Sequence, residues 1–142
     1  MKIYTSSWAT TLPPEIQKIG ISRGTPRRYA AGYRIMRDLA PGPWFNSLSP
    51  DEYHRRFMAQ LKALDAKAIV SKFVALSSGR DVALLCYEAP NDPGAWCHRG
   101  QVAGWLKDEL EIDVFEFGLE RAGCGWLHPK LLPQFQRGGS TR

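Results

Sequence analysis

The residue types best suited to chemistry in this sequence gather around one apolar segment and the loop that follows it. Residues 82–88 read Val-Ala-Leu-Leu-Cys-Tyr-Glu, and after a polar loop the chain continues as Cys-His-Arg. Two thiols, a carboxylate, an imidazole and a guanidinium therefore stand within 14 residues: Cys86, Glu88, Cys97, His98 and Arg99. Thiols and imidazoles serve as nucleophiles, proton carriers or metal ligands, and a guanidinium binds phosphate or carboxylate oxygens. We expect the reactive site of the protein here.

Two interpretations of Cys97 stay open. The residue stands in or just before the first turn of a predicted helix, where free amide donors and a partial positive charge favour a thiolate. A nucleophilic or redox thiol is one interpretation, with His98 as a nearby acid or base, although adjacent helix residues point about 100° apart. The other is a small apolar group in the core, which is also the simplest account of Cys86.

The charged neighbours favour anion binding. A helix N-terminus with His98 and Arg99 beside it is typical of a phosphate or carboxylate pocket. Glu88 follows the apolar run directly, where it is either a general base or the structural ion-pair partner of Arg99 or Arg23.

A metal site is the third possibility for these residues. Cys86, Cys97 and His98 are suitable ligand types, but a ten-residue gap followed by adjacent Cys-His lacks the two-residue spacing typical of zinc sites. The sequence therefore predicts neither a metal nor a cofactor.

Secondary-structure patterns place the reactive residues at the end of a strand and the start of a helix. The apolar run 82–88 is typical of a strand buried on both faces. A helix from 97 to about 109 and a last strand at 112–117 follow, and this order predicts a parallel crossover. The acids in 112–117 suit an edge strand. Ligands of open α/β sheets bind beyond the carboxyl ends of the strands.

Two shorter strands are predicted to end at the same edge, at 2–7 and 17–22. Their polar residues are expected to line a common crevice with the Cys-His-Arg segment: Tyr4, Ser6, Ser22 and Arg23. Between these strands and the apolar run, Ser49 and Asp65 are predicted to cap two helices, the second of which buries Phe73 and Val74.

Positive charge is concentrated in the N-terminal part of the chain. The net charge is +5, and residues 1–62 hold ten basic against four acidic residues, whereas residues 63–142 hold nine against ten. The segment 22–37 contains five arginines, Arg27 and Arg28 among them, with two tyrosines and no acid. Basic groups interleaved with aromatic rings suit a nucleotide or single-stranded nucleic acid. The alternative is a solvated basic loop whose tyrosines pack on the core.

Length and composition predict a single α/β domain with a short, mainly parallel sheet flanked by helices. The chain has 142 residues, 44% of them hydrophobic. We expect the domain to cover 1–118, with a partly docked extension at 119–142 whose last residues are frayed. No apolar run approaches the ~20 residues of a membrane span and no signal-peptide core is present, so a cytoplasmic protein without a membrane partner is expected. The three cysteines are expected to be reduced.

Several segments together resemble the bacterial family called domain of unknown function 488 (DUF488). The resemblance covers roughly residues 1–118 and is carried most clearly by Leu-Leu-Cys-Tyr-Glu and Cys-His-Arg, with Lys-Ile-Tyr-Thr-Ser-Ser at the N-terminus. It implies a compact, Rossmann-like, three-layer α/β domain. It implies no established activity.

Three function classes follow from these observations. The leading hypothesis is recognition, with or without chemistry, of a phosphate-bearing ligand such as a nucleotide or nucleic acid. The second is a cysteine-dependent enzyme acting on a small molecule. The third is a non-catalytic interaction module that presents tryptophans at an interface. Nothing in the sequence predicts an oligomeric state.

Overall fold

A five-stranded parallel sheet forms the centre of the molecule. The computed structural model describes residues 1–89 and 95–137. The strands are β1 (Ile3–Ser7), β2 (Gln17–Gly20), β3 (Arg34–Ile35), β4 (Val82–Cys86) and β5 (Phe115–Glu116). They lie in the order β3-β2-β4-β1-β5, and every pairing is parallel. The predicted α/β class with a short parallel sheet is confirmed.

Three helices accompany the sheet: α1 (Pro50–Lys62), α2 (Ala66–Ser77) and α3 (His98–Leu110). The predicted caps of the first two are confirmed. The Ser49 hydroxyl accepts from the Glu52 amide at 3.2 Å, and the Asp65 carboxylate accepts from the first amides of α2. These contacts satisfy backbone donors that a helix start leaves free.

The two faces of the sheet are covered differently. Side chains alternate along a strand, so β1 and β4 bury Ile3, Val82 and Leu84 on one side, in the same core as residues of all three helices. On the other side Ala83 and Leu85 pack beneath the loops that carry Trp8, Leu12 and Ile16. The third layer therefore consists of loops rather than helices.

Some local predictions differ from the structure. The strand β3 was not predicted, because its two residues carry no period of their own and are ordered by pairing with β2. The last strand covers two of the six predicted residues. Val74 was predicted to be buried but is 43% exposed, because the buried side of α2 consists of Ala66, Ile69, Phe73 and Ser77.

The chain after β5 is built on short 3₁₀ turns, at Glu120–Ala122, Gly125–Leu127 and Pro133–Phe135. Trp126 docks against α3, where a β-carbon on Gly104 would lie 2.5 Å from its ring. Fraying was predicted for the last six residues, of which 138–142 lie outside the described part of the chain. Arg137 is described, and its amide donates to the Trp126 carbonyl at 3.0 Å. Among the described residues, no helix has the length and apolar character needed to cross a membrane.

Candidate functional site

A cavity of about 520 Å³ opens where β2 and β4 end and α3 begins. Cys86, Cys97 and His98 line it, together with Ser22, Arg23 and Glu88. Because the strands are parallel, their carboxyl ends and the helix N-terminus meet at one edge of the sheet. The structure thus brings together five of the residues predicted to share a crevice and adds Cys86, whose simplest predicted place was the core. The cavity volume is within the usual range of small-molecule sites.

The buried wall of the pocket is formed by two thiols and an imidazole. One possible ligand atom from each of Cys86, Cys97 and His98 lies within 4.8 Å of the others. Cys86 is the last residue of β4, and Cys97 is the N-cap of α3 with its amide donating to the Lys130 carbonyl at 3.1 Å. The ten residues between the cysteines therefore do not prevent a shared site, because the end of β4 and the start of α3 are close together in the fold.

The two sulfurs of the site are in contact. The structure links Cys86 to Cys97 as a disulfide, whereas Cys124 is free, so the expectation of three reduced thiols is corrected for this pair. The Cα atoms of the pair are 7.6 Å apart, whereas disulfides usually span about 4.4–6.8 Å between Cα atoms. The backbone therefore holds the two residues wider than an ordinary disulfide requires.

His98 is buried, and its tautomer is fixed by a backbone contact. Its Nε2 lies 2.7 Å from the Ile21 carbonyl oxygen. A carbonyl only accepts, so Nε2 carries the proton and Nδ1 presents a lone pair, 3.5 Å from Cys97 Sγ. Burial lowers the pKa of His98 to about 4, with the hydrogen bond to Ile21 opposing the shift and the Arg99 charge adding to it. The imidazole is therefore neutral at pH 7.

Arg99 does not line the pocket, which corrects its predicted role as an anion-binding residue. The side chain is fully buried and forms a bidentate ion pair with Glu116, through Nε at 2.9 Å and Nη2 at 2.7 Å. Its other contacts are Nη1 to Cys86 Sγ at 3.0 Å and Nη2 to the backbone oxygen of Glu88 at 2.7 Å. The Glu88 carboxylate is thus not its partner. A donor on Cys86 favours the thiolate when that cysteine is reduced.

A chain of buried hydrogen bonds extends from this ion pair to the C-terminal segment. The Thr5 hydroxyl donates to Glu116 at 2.8 Å and lies 2.6 Å from His128 Nε2. His128 Nδ1 accepts from the Lys130 amide at 3.0 Å, so Nε2 is the donor to Thr5. Burial, and then the charges of Arg99 and Lys130, lower the pKa of His128 to about 3. The His128 ring is neutral at pH 7.

Sequence reasoning missed three members of this network: Thr5, Glu116 and His128. Glu116 is an acid among apolar residues, a pattern that predicts a charge on an edge strand. It is indeed on an edge strand, yet it is fully buried. The available signal in the sequence was an acidic residue inside an apolar strand. That Glu116 contacts Arg99 follows only from the order of the strands in the sheet.

Tyr4 and Ser6 lie on the opposite face of the sheet, so their predicted place in the crevice is wrong. Tyr4 packs edge-on against Phe117 in the loop-covered cluster, and Ser6 pairs in register with Leu85 of the same cluster. An error of one residue in a strand reverses the face. Arg27 and Arg28 are exposed and are not among the residues that line the pocket.

The remaining walls are rich in aromatic rings. Phe45, Tyr53, Tyr87 and Trp96 all line the cavity. Tyr53 is a buried residue of α1, and the centre of its ring lies 4.8 Å from that of Trp96. Burial, and then the negative charge of Glu88, raise the pKa of Tyr53. Its hydroxyl therefore stays protonated, and Glu88 is close enough to act on the pocket electrostatically.

A comparison with protein-family models identifies the chain. The model of DUF488-N3a, described as the active DUF488-N3 subclade, matches residues 3–110. The chain belongs to the DUF488 family. No curated protein and no solved structure gives a significant match.

The DUF488 match covers the elements that build the pocket but not the whole buried network. It includes β1 to β4, α1 to α3 and the Cys-His-Arg segment. Glu116 and His128 lie beyond residue 110. The residues that hold Arg99 in this DUF488 protein therefore come partly from outside the matched region.

Proposed function

We propose that this DUF488 protein binds a small phosphate-bearing ligand, such as a nucleotide, in the cavity beside Cys86 and Cys97. The observation that carries the proposal is the composition of that cavity, in which an arginine and flat aromatic rings surround the start of a helix. Guanidiniums and helix N-termini bind phosphate oxygens, and aromatic rings stack on bases.

Arg23 supplies the cation. Its Nη1 donates to the Pro41 carbonyl at 3.1 Å, and its guanidinium lies 5.6 Å from the centre of the Phe45 ring. A guanidinium has five N–H donors, so these contacts orient the group and leave donors for a phosphate. The side chain as a whole is exposed, which makes it accessible to a ligand.

Tyr87 and Trp96 supply surfaces for a base. Tyr87 is 52% exposed although it follows a fully buried strand, and Trp96 is half-buried at the entrance to α3. A large aromatic side chain held partly open beside a cation is typical of ligand-binding surfaces.

A cysteine-dependent reaction on that ligand is the second candidate function. The matched subclade is described as active, and the geometry offers activation of either thiol. Cys97 Sγ lies 3.5 Å from an unprotonated imidazole nitrogen, and Cys86 Sγ accepts from Arg99. An imidazole nitrogen with a free lone pair can accept a proton from a thiol, and a guanidinium donor stabilises a thiolate.

Arg23→Ala tests the binding proposal. We expect isothermal titration with ATP, GMP and a short single-stranded RNA to show binding at low salt that weakens as salt rises. Loss of a charge-assisted hydrogen bond is worth about 1.5–3 kcal/mol, so Arg23→Ala should weaken nucleotide binding roughly tenfold to a hundredfold.

The matched control is Arg27→Ala combined with Arg28→Ala, which removes two exposed charges outside the cavity. Mononucleotide affinity should be unchanged in the control. No binding of any of these ligands at low salt, or equal weakening by the control, contradicts the proposal. Loss of RNA binding alone in the control indicates that a nucleic-acid strand extends along the basic segment.

A further inference from the structure

We propose that, in the reduced protein, Cys86, Cys97 and His98 bind one Zn²⁺ ion whose fourth coordination position opens into the cavity. The proposal goes beyond ligand binding and does not depend on which ligand the cavity takes. It concerns the state in which the two thiols are not bonded to each other.

The donor set matches zinc in type and number. Two thiolates and one imidazole are soft and borderline ligands that suit zinc, and three protein ligands with one open position are typical of catalytic zinc sites. The three donor atoms lie within 4.8 Å of one another in buried surroundings. Two thiolates neutralise the charge of a divalent ion, so the buried centre carries no net charge.

The backbone spacing fits a shared ion. The Cα atoms of Cys86 and Cys97 are 7.6 Å apart, beyond the span of about 4.4–6.8 Å that disulfides favour. Two sulfurs bound to zinc at about 2.3 Å stand roughly 3.8 Å apart in tetrahedral geometry. A zinc ion bound by both sulfurs thus allows β4 and α3 to stay farther apart than a disulfide does.

Each ligand is held by a further contact. His98 Nε2 donates to the Ile21 carbonyl at 2.7 Å, which leaves Nδ1 as the nitrogen that faces the thiols. Arg99 Nη1 donates to Cys86 Sγ at 3.0 Å, and the Lys130 carbonyl accepts from the Cys97 amide at 3.1 Å. Outer hydrogen bonds of this kind orient metal ligands and fix the histidine tautomer.

The fourth position is accessible from the cavity. All three ligands line it, so the ion there takes a water molecule or a ligand oxygen. Zinc lowers the pKa of bound water to about 7. Glu88 lines the same cavity and is exposed, which places a carboxylate where it can accept a proton from that water.

Metal content and X-ray absorption of the wild-type protein test the proposal directly. The protein is reduced, stripped with chelator, reloaded with Zn²⁺ under anaerobic conditions and desalted. We expect one equivalent of zinc with two sulfurs at about 2.3 Å and one imidazole nitrogen at about 2.0 Å, completed by an oxygen. Absence of retained zinc, or a shell with other than two sulfurs, overturns the proposal.

Cysteine variants locate the ion. Cys86→Ser and Cys97→Ser should each lose the stoichiometric zinc, whereas Cys124→Ser, which changes the free cysteine outside the site, should retain it. Circular dichroism checks that the variants fold. If a site variant is unfolded, the Co²⁺-substituted wild type decides, because cysteine ligation gives intense thiolate-to-cobalt charge-transfer bands. Their absence overturns the proposal.

A redox pair is the competing outcome. If the wild-type protein keeps its Cys86–Cys97 disulfide in a cytosol-like glutathione buffer containing Zn²⁺, as judged by thiol labelling and mass spectrometry, the zinc proposal is overturned. The Arg23→Ala titration is independent of this result, so failure of the metal site and failure of nucleotide binding are distinguishable.

Discussion

Glu116 is a fully buried carboxylate on a strand of two residues, and it determines where Arg99 points. Its two oxygens accept from Arg99, and Oε1 also accepts from Thr5. Arg99 in turn reaches Cys86 Sγ. The position of the buried thiol therefore depends on an acid that is 30 residues away in sequence and is itself outside the cavity lining.

Glu116→Gln tests this dependence. The substitution leaves the Arg99 charge buried without its carboxylate, so we expect a loss of about 3–5 kcal/mol in the free energy of unfolding. Urea denaturation measures it. Glu109→Gln, at an exposed position of α3, should change stability by less than about 0.5 kcal/mol. A loss in Glu116→Gln no larger than in this control would show that the pair contributes little.

Residue types predicted half of this site. A thiol pair, an imidazole and a nearby arginine stand out in the sequence, because few other functions explain them in one short segment. The ion-pair partner of Arg99 could not be predicted, because Glu88 is nearer in sequence and Glu116 becomes a neighbour only through the position of β5 beside β1.

At the scale of elements, α3 is the helix on which the site depends. Its first residues supply His98 and Arg99 and its middle packs against Trp126. Gly104 permits the close approach of the indole ring, because a β-carbon there would lie 2.5 Å from it. The Trp126 Nε1 donates to Asp108 on the same helix at 2.9 Å, which fixes the ring over the glycine.

Gly104→Ala is therefore expected to destabilise the protein by about 1–3 kcal/mol, the usual cost of overpacking. In an unconstrained helix the same change stabilises by about 1 kcal/mol. The sign of the change in unfolding free energy therefore distinguishes a tight contact at Gly104 from an open one. Thermal and urea denaturation measure it. Trp126→Leu in the same chain should recover part of the loss, and a stabilising effect of Gly104→Ala by itself would contradict the close approach.

Long elements with strong local signals were predictable, and short ones were not. The buried run of β4 and the capping residues of α1 and α2 are properties of consecutive residues, so they appear in the sequence. The prediction for β1 placed Tyr4 and Ser6 on the wrong face of the sheet. Both faces of this strand carry polar side chains, Tyr4 and Ser6 on one and Thr5 and Ser7 on the other, so the sequence pattern does not distinguish them. Which polar row faces the helices is decided by packing.

At the scale of the whole molecule, the two buried histidines make stability depend on pH. The pKa of His128 is lowered to about 3 in the folded protein, against about 6.5 in an unfolded chain. As pH falls below 6.5, His128 is protonated in the unfolded state but stays neutral in the folded state. The contribution of neutral His128 to the free energy of unfolding is therefore fully present above pH 6.5. It is lost as pH falls towards 3, by up to about 1.4 kcal/mol per pH unit.

His128→Gln isolates that contribution. The groups that face the ring are Glu116, Arg99 and Lys130, and glutamine offers an amide donor to Thr5 without a titrating proton. We expect the variant to be less stable at pH 7 but to lose less stability between pH 6.5 and 5. Burial also lowers the pKa of His54, but to a smaller extent than that of His128, so His54→Gln should reduce the slope less than His128→Gln does. An unchanged slope in His128→Gln would exclude His128 as its source.

The hydrogen bond between Thr5 and His128 joins positions 123 residues apart, and this separation has a consequence for biosynthesis. A ribosome releases β1 long before the segments that carry Glu116 and His128, so Thr5 emerges before both of its partners and Arg99 emerges before Glu116. Parallel pairing of distant strands is already slow to form. A nascent chain of this protein thus holds an uncompensated cation and an open edge of β1 until β5 and Glu116 have been released, and that interval is the one in which chaperone capture matters most.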